Sequence, residues 1–339
     1  MSSAARAGLI VMTAATDAAV TAARSGDQAA FAALVEPHRR ELQVHCYRML
    51  GSFTDAEDMV QEAFLRAWRR RETYAGRATF RAWLYRIATN ACLDHLERHP
   101  RRPAPSGEVA WLQPFPDRLL EQVDPDDAGP DALAVDRETI ELAFLVAVQH
   151  LPPRQRAVLL LRDVLGWSAA ESAAVLEASV ASVNSALQRA RATLRTHLPR
   201  RRSEWSPAGP SAEERAVLQR FMDVCERADM AALATLLRED AVFSMPPEPG
   251  LFRGRDAIIE AWTPALVAPS TLGELRLRPV WTNRQPAAAN YVRAPGESAF
   301  RGFAVDVLRV DGGEITDIVS FAHTAAFPAF DLLGLPATL

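Results

Sequence analysis

Residues 168–198, SAAESAAVLEASVASVNSALQRARATLRTHL, limit the fold most, because they read as two helices joined by a tight turn. Ser168 followed by Glu171 is a capping box, which starts a helix there. Ser179 can cap a second helix, in which Val183, Leu187, Ala190 and Leu194 recur at helical spacing and form one buried stripe. At about 100° per residue the opposite face holds Ala181, Ser182, Ser185, Gln188 and Arg189, flanked by Asn184, Arg191 and Arg195. The second helix carries arginines but no acid. Small polar groups for base edges, with guanidinium groups beside them for phosphates, suit a helix lying in a major groove. An ordinary helical hairpin with a solvated basic face has the same pattern, so this stretch alone leaves both readings open.

A chain of 339 residues has room for two or three domains, each burying its own core. All 38 basic residues are arginine, so an arginine here points less sharply to recognition than usual. The net charge of −4 is unevenly spread: residues 1–205 hold 26 arginines against 25 acids, and residues 206–339 hold 12 against 17. A nucleic-acid footprint must therefore be local. Cys46, Cys92 and Cys225 are odd in number and far apart, which argues against a disulfide framework and fits a reducing cytoplasm. His45 beside Cys46, and Cys92 near His95, form no recognised ligand series, so no metal or other cofactor is expected. The apolar run at 8–12 is too short for a signal-peptide core, and no stretch is long enough to span a membrane.

Punctuation divides the chain into blocks. Residues 1–26 read as a flexible leader, and residues 27–98 are dense in helical periodicity. Residues 99–136 form a linker with seven prolines, and its part from Asp117 to Asp136 has seven acids against Arg118 alone. Residues 137–198 are helical again, 199–210 are a second linker, and 211–335 change character.

Within the first helical block, Thr54 and Glu57 are read as a capping box. Ala56, Met59, Val60, Ala63, Phe64 and Ala67 then form the inward stripe. Asp55, Asp58, Gln61 and Glu62 fall on other faces near the helix start. They suit a well-capped surface helix and an acidic docking face for a basic partner equally well. The next segment interleaves aromatic residues with arginines. Phe80, Leu84, Ile87 and Ala91 make a core stripe, with Tyr74, Trp83, Tyr85, Arg77, Arg81 and Arg86 partly off it. Aromatic rings that stack on unpaired bases, with guanidinium groups along the backbone, bind single strands. Since Trp and Tyr beside a helical stripe are often core, at least one of these rings is expected to be buried.

The order of these parts resembles the sigma-70 family of bacterial transcription initiation factors, in its small extracytoplasmic-function class. DAEDMVQEAFLRAWR (55–69) is similar to the region that docks on the clamp helices of core RNA polymerase. FRAWLYRIATNACLDHLER (80–98) resembles the element that melts and reads the −10 promoter sequence, and residues 151–195 resemble the domain that reads the −35 sequence. The resemblance implies polymerase contact by Asp55, Asp58, Gln61, Glu62 and Phe64. It implies capture of a flipped −10 base by Tyr74 and Asn90, with Arg81, Trp83 and Arg86 near the melted strand. It implies −35 contact by Ser182, Asn184, Ser185, Gln188, Arg189, Arg191 and Arg195. The acidic linker would thread toward the polymerase active-site channel; a disordered tether is the other reading. Many family members carry Lys-Ser-Arg where this chain has Asn184, Ser185 and Ala186, so its −35 preference should differ and its affinity there should be weaker.

Residues 211–335 add an α+β pattern. Helices are expected around 216–224, 230–237 and 255–266, and strands at 241–247, 275–281, 287–292, 300–310 and 315–322. Helices followed by a curved antiparallel sheet fit a cone that closes on a pocket. LLREDAVFSMPPEPGLFRGRDAIIEAW (236–262) resembles the SnoaL-like domains. Met245, Pro246, Phe252, Trp262, Trp281 and Phe303 would line an apolar pocket able to take a small apolar ligand, or serve as ordinary core. Enzymes of this fold imply Asp240, Asp306 and His323 as the catalytic candidates, but a shared fold does not confer their sites.

The expected protein has two all-α domains, the second with a helix-turn-helix, followed by an α+β cone. It is expected to be a cytoplasmic, non-enzymatic sigma factor that binds core polymerase and promoter DNA and no membrane, with a C-terminal domain that contacts and regulates the sigma domains. A SnoaL-type enzyme tethered to DNA by its N-terminal helices is the competing reading.

Overall fold

The computed structural model describes residues 18–76, 79–104, 107–119, 141–197, 211–248, 250–324 and 329–339. It separates into two compact units. One gathers Met1–Leu50, Thr54–Arg101 and Pro152–Ala192; the other gathers Gly51–Phe53, Arg102–Leu151 and Thr193–Leu339.

The first unit is helical, and it joins two segments that are far apart in sequence. After helical residues at 18–24, α1 (Gln28–Val35) starts at Asp27, whose carboxylate accepts from the amides of Ala29 and Ala30. In α2 (Arg39–Leu50) every side chain from Leu42 to Leu50 is buried, which makes it the central helix of the unit. α3 (Phe53–Arg69) buries Ala56, Met59, Val60, Ala63 and Ala67 along one stripe, as the periodicity requires. It begins at Phe53, one residue before Thr54, so Ser52 precedes the helix. α4 (Phe80–Arg98) is capped by Thr79, whose hydroxyl accepts from the Ala82 amide. His45 of α2 and Thr89 of α4 share a buried hydrogen bond of 2.9 Å.

α6 (Pro153–Leu159) continues into a π turn over Leu160–Val164, and α7 (Ala169–Leu176) and α8 (Val180–His197) follow. Before them, α5 (Leu142–Gln149) belongs to the second unit. The capping box forms as expected: the Glu171 amide donates to Ser168 Oγ at 3.1 Å, and the Ser168 amide donates to the Glu171 carboxylate at 2.7 Å. Ser179 Oγ accepts from the Ser182 amide at 3.1 Å and so caps α8. Val183, Leu187, Ala190 and Leu194 are all buried.

The second unit is built on a six-stranded sheet in the order β2-β1-β6-β5-β4-β3. Its strands are β1 (Leu237–Ser244), β2 (Leu251–Arg253), β3 (Glu274–Thr282), β4 (Gln285–Arg293), β5 (Arg301–Asp311) and β6 (Glu314–Ala322). The sheet is mixed rather than wholly antiparallel, because β1 pairs parallel with β6. Helices α9 (Ala212–Glu226), α10 (Met230–Leu236) and α11 (Arg255–Leu266) supply Val217, Phe221, Leu233 and Ile258 to a core shared with Phe243, Leu277, Ala288, Leu308 and Ile318 of the strands. Glu226 closes α9 and accepts from the Leu277 amide of edge strand β3 at 2.7 Å, which occupies part of an exposed ladder. On the other face, Phe330 of α12 (Ala329–Leu333) packs edge-on against Tyr291 at 4.9 Å. It lies so close to Gly302 that a Cβ there would meet the ring at 3.0 Å.

Candidate functional site

On α8 the buried stripe turns the opposite face outward. Ser182, Asn184, Ser185, Gln188, Arg189, Arg191 and Arg195 are all exposed. Arg191 is engaged: its guanidinium makes a two-point bond to Asp163 at 2.8 and 2.6 Å, and that planar fork fixes its direction. Ser182, Ser185, Gln188 and Arg189 therefore form the part of this face that best meets the donor and acceptor pattern of a groove.

On α3, Asp58 and Gln61 are exposed, and Glu62 is half-buried and paired with Arg66 at 2.7 Å. Asp55 points elsewhere: it pairs with Arg101 at 2.7 Å and lies 4.0 Å from His95. Phe64 is half-buried under the Arg39 guanidinium, 5.0 Å from the ring centre. The outward acidic face thus comprises Asp58, Gln61 and Glu62, with the exposed Leu65 beside them.

The aromatic residues before and within α4 are brought together. Tyr74 packs against Phe80 and Trp83 with ring centres 5.4 Å apart in both cases, and all three are half-buried. They line a cleft with Arg24, Phe31 and Arg71. Tyr85 is the ring that goes wholly into the core, and burial holds its hydroxyl well above the usual tyrosine range. Arg81 is held by Glu41 at 2.6 Å and lies over the Tyr85 ring. Burial pushes Glu41 up, but His38 and Arg81 outweigh it and hold the carboxylate below its ordinary value. Asn90 is half-buried, a full turn beyond Arg86, and Arg77 lies outside the described residues. Arg86 is exposed and bonds Glu177.

Sequence reasoning missed a site in the linker. Residues 107–119 are not a bare tether: they bind the turn between β3 and β4. The Phe115 amide donates to Asn283 Oδ1 at 2.8 Å, and its carbonyl accepts from the Asn283 amide at 3.0 Å and from Thr282 Oγ1 at 2.7 Å. The Arg284 amide donates to Asp117 Oδ1 at 2.9 Å. Asn283 and Arg284 both have positive φ, as a two-residue hairpin turn requires, and the Asn283 amide group takes the place of a strand partner. Phe115, Thr282 and Asn283 are almost fully buried. At the start of α5, the Leu142 amide donates to Gln285 Oε1 at 2.9 Å, so both ends of residues 118–141 are fixed on one hairpin. Of the acidic run, Asp117 lies in this anchor; from Glu121 to Asp136 it lies outside the described residues. The aromatic residues Trp111 and Phe115 within a proline-rich stretch were the available signal.

The interior of the second unit holds one buried polar group of note. Asp306 on β5 accepts from Asn290 Nδ2 on β4 at 2.7 Å, and burial holds its carboxyl above the ordinary value although Ser320 and Asn290 donate to it. Asp240 and His323 are elsewhere. Asp240 is exposed and paired with Arg238 at 2.5 Å, and His323 Nδ1 accepts from the Phe330 amide at 3.2 Å. The three candidates form no common constellation. Met245, Phe252, Trp262 and Trp281 pack on the core, and Pro246 is also buried. Phe303 does not join them: it is the unpaired residue of a bulge between the pairs Asn290–Ala304 and Tyr291–Gly302, and it is 42% exposed. Among the described residues no cluster of His, Cys, Asp and Glu could hold a metal ion, and no helix is long and apolar enough to cross a membrane.

Comparison with known proteins agrees with this arrangement. Residues 34–102 match the Sigma-70 region 2 family, 141–194 match Sigma-70 region 4, and 218–318 match the SnoaL-like domain. The class is therefore that of sigma-70 transcription factors carrying a C-terminal SnoaL-like domain, and it is not a class of enzymes. The chain belongs to the ECF RNA polymerase sigma factors. It is 42% identical to the ECF RNA polymerase sigma factor SigG of Mycobacterium tuberculosis, over 95% of this chain and 90% of that protein. It is 33% identical to the ECF RNA polymerase sigma factor SigW of Bacillus subtilis, over 52% of this chain and 92% of that one. In fold it is similar to the crystal structure of the M. tuberculosis ECF sigma factor SigJ, with a TM-score of 0.57, 23% identity and coverage of 89% of this chain and 98% of that chain.

Proposed function

We propose that this sigma factor docks on core RNA polymerase through Asp58, Gln61 and Glu62 of α3 and reads a two-part promoter. Tyr74, Trp83, Arg86 and Asn90 serve the melted −10 strand, and Ser182, Ser185, Gln188 and Arg189 serve the −35 duplex. The observation that carries the reading is the outward face of α8, capped by Ser179 and free of acids, set opposite a fully buried stripe. It works in the cytoplasm and does no covalent chemistry of its own. The test is initiation in vitro with core polymerase and a library of genomic DNA fragments. Start sites should share two short elements, and failure of the full-length chain to bind core or initiate would overturn the reading.

The SnoaL-like domain, in this reading, regulates the factor by holding the linker. Residues bonded to the β3–β4 turn are not available to thread into a polymerase channel, so capture of Phe115 and use of the linker exclude one another.

A further inference from the structure

We propose that Glu177 is an internal stand-in for a DNA phosphate. In the free chain it holds Arg86, and so latches α7 onto α4 until nucleic acid displaces it. The inference rests on the promoter-reading function proposed above.

Glu177 ends α7, in the turn before α8, and its backbone is left-handed, with φ 50° and ψ 47°. Glycine adopts that conformation freely, whereas glutamate is strained there. Its side chain is exposed, so packing does not explain the choice. The carboxylate instead reaches the Arg86 guanidinium on α4. Two neighbouring contacts are Trp167, just before α7, which meets Tyr85 of α4 edge-on at 5.2 Å, and Arg156 of α6, which donates to the Met49 carbonyl at the end of α2. Arg156 is 3% exposed, and burial lowers its guanidinium to about 9.

Packed helices lie about 8–10 Å apart. Elements at −10 and −35 are separated by about 25 base pairs, or ~85 Å of duplex at about 3.4 Å per pair. The packed arrangement therefore cannot serve both elements at once. Opening it must break the exposed Arg86–Glu177 pair, and such a pair is weak and screened by salt. Phosphates of a single strand offer Arg86 the same charge and acceptor geometry, so DNA competes directly with Glu177.

The test uses the full-length chain without polymerase and a fluorescent single strand of mixed sequence, about 20 nucleotides long. Glu177→Gly removes the carboxylate and relieves the turn; Glu177→Gln removes only the charge. Both variants should bind the strand roughly two- to fivefold more tightly than wild type, as expected for release of one exposed ion pair. The dependence of log K on log salt should steepen in both variants, because salt weakens the competing Arg86–Glu177 pair as well as the phosphate contact in wild type, and only the phosphate contact in the variants. Adding Arg86→Ala to Glu177→Gly should abolish both gains. Unchanged affinity and slope in both single variants, with helical circular dichroism intact, would overturn the proposal. Initiation by wild-type chain with core polymerase is measured in parallel: its failure would overturn the promoter-reading function, whereas normal initiation with unchanged strand binding would count against Glu177 alone.

Discussion

Two buried titratable residues set opposite pH dependences. Burial, reinforced by Arg48, lowers the His45 imidazole to about 3, against an ordinary value of 6.5. The unfolded chain therefore binds a proton that the folded one refuses. Stability from this residue is full above about pH 6.5 and is lost as pH falls toward 3, up to a few kcal/mol at about 1.4 kcal/mol per unit. His45→Gln, which can still bond Thr89, should flatten the acid limb of the first unit's melting temperature between pH 6.5 and 4. An equally steep limb in the variant would exclude His45 as the cause. Asp306 has the other sign. Burial raises its carboxyl, so the folded chain binds the proton more tightly and stability declines as pH rises through the folded value. Asp306→Asn should raise the melting temperature of the second unit at pH 7, with the gain shrinking toward pH 4. A gain that persists undiminished at pH 4 would show that titration is not its source.

At the level of elements, α8 was legible because 18 residues give five turns of periodicity, and the apolar stripe and the Ser179 cap fall where the spacing puts them. α11 was legible to the residue, since Gly254 and Val267 bound it sharply. The three-residue strand β2 was not, because so short a run has no period. The parallel pairing of β1 with β6 was also hidden, because it joins segments about 75 residues apart and no local pattern encodes it. What periodicity could not show for α8 was which arginines are free. Arg191 is tied to Asp163, whereas Arg189 is exposed on the face opposite the buried stripe. Arg189→Ala should thus weaken −35 binding by about 1–3 kcal/mol and relax preference at one base position. Arg191→Ala should act on the stability of the helix pair instead, with little change in base preference. Competition between promoter variants in a filter-binding assay separates the two, and identical profiles for both mutants would refute the division.

On the scale of the whole molecule, the linker decides whether the SnoaL-like domain regulates anything. Family resemblance directed the acidic linker toward polymerase, and composition made it look like a tether. Neither reading could foresee that Phe115 has a receptor about 170 residues away, because that contact depends on a hairpin turn whose conformation only the folded sheet supplies. The Asn283 side chain supplies an acceptor that backbone alone could not place there. Asn283→Gly keeps the left-handed turn without strain and removes the side-chain acceptor of the buried Phe115 amide, together with that oxygen's contact to Thr282 Oγ1. Loss of a buried acceptor costs about 1–3 kcal/mol, which corresponds to roughly a 5- to 150-fold shift between held and released linker. Amide exchange at Phe115 should accelerate by a factor of that order, while amides of β5 and β6 keep their protection. If holding the linker restrains the factor, the same variant should raise initiation from its promoter at fixed core polymerase. Faster exchange at Phe115 with unchanged initiation would leave the domain docked on the linker but remove its claim to control it.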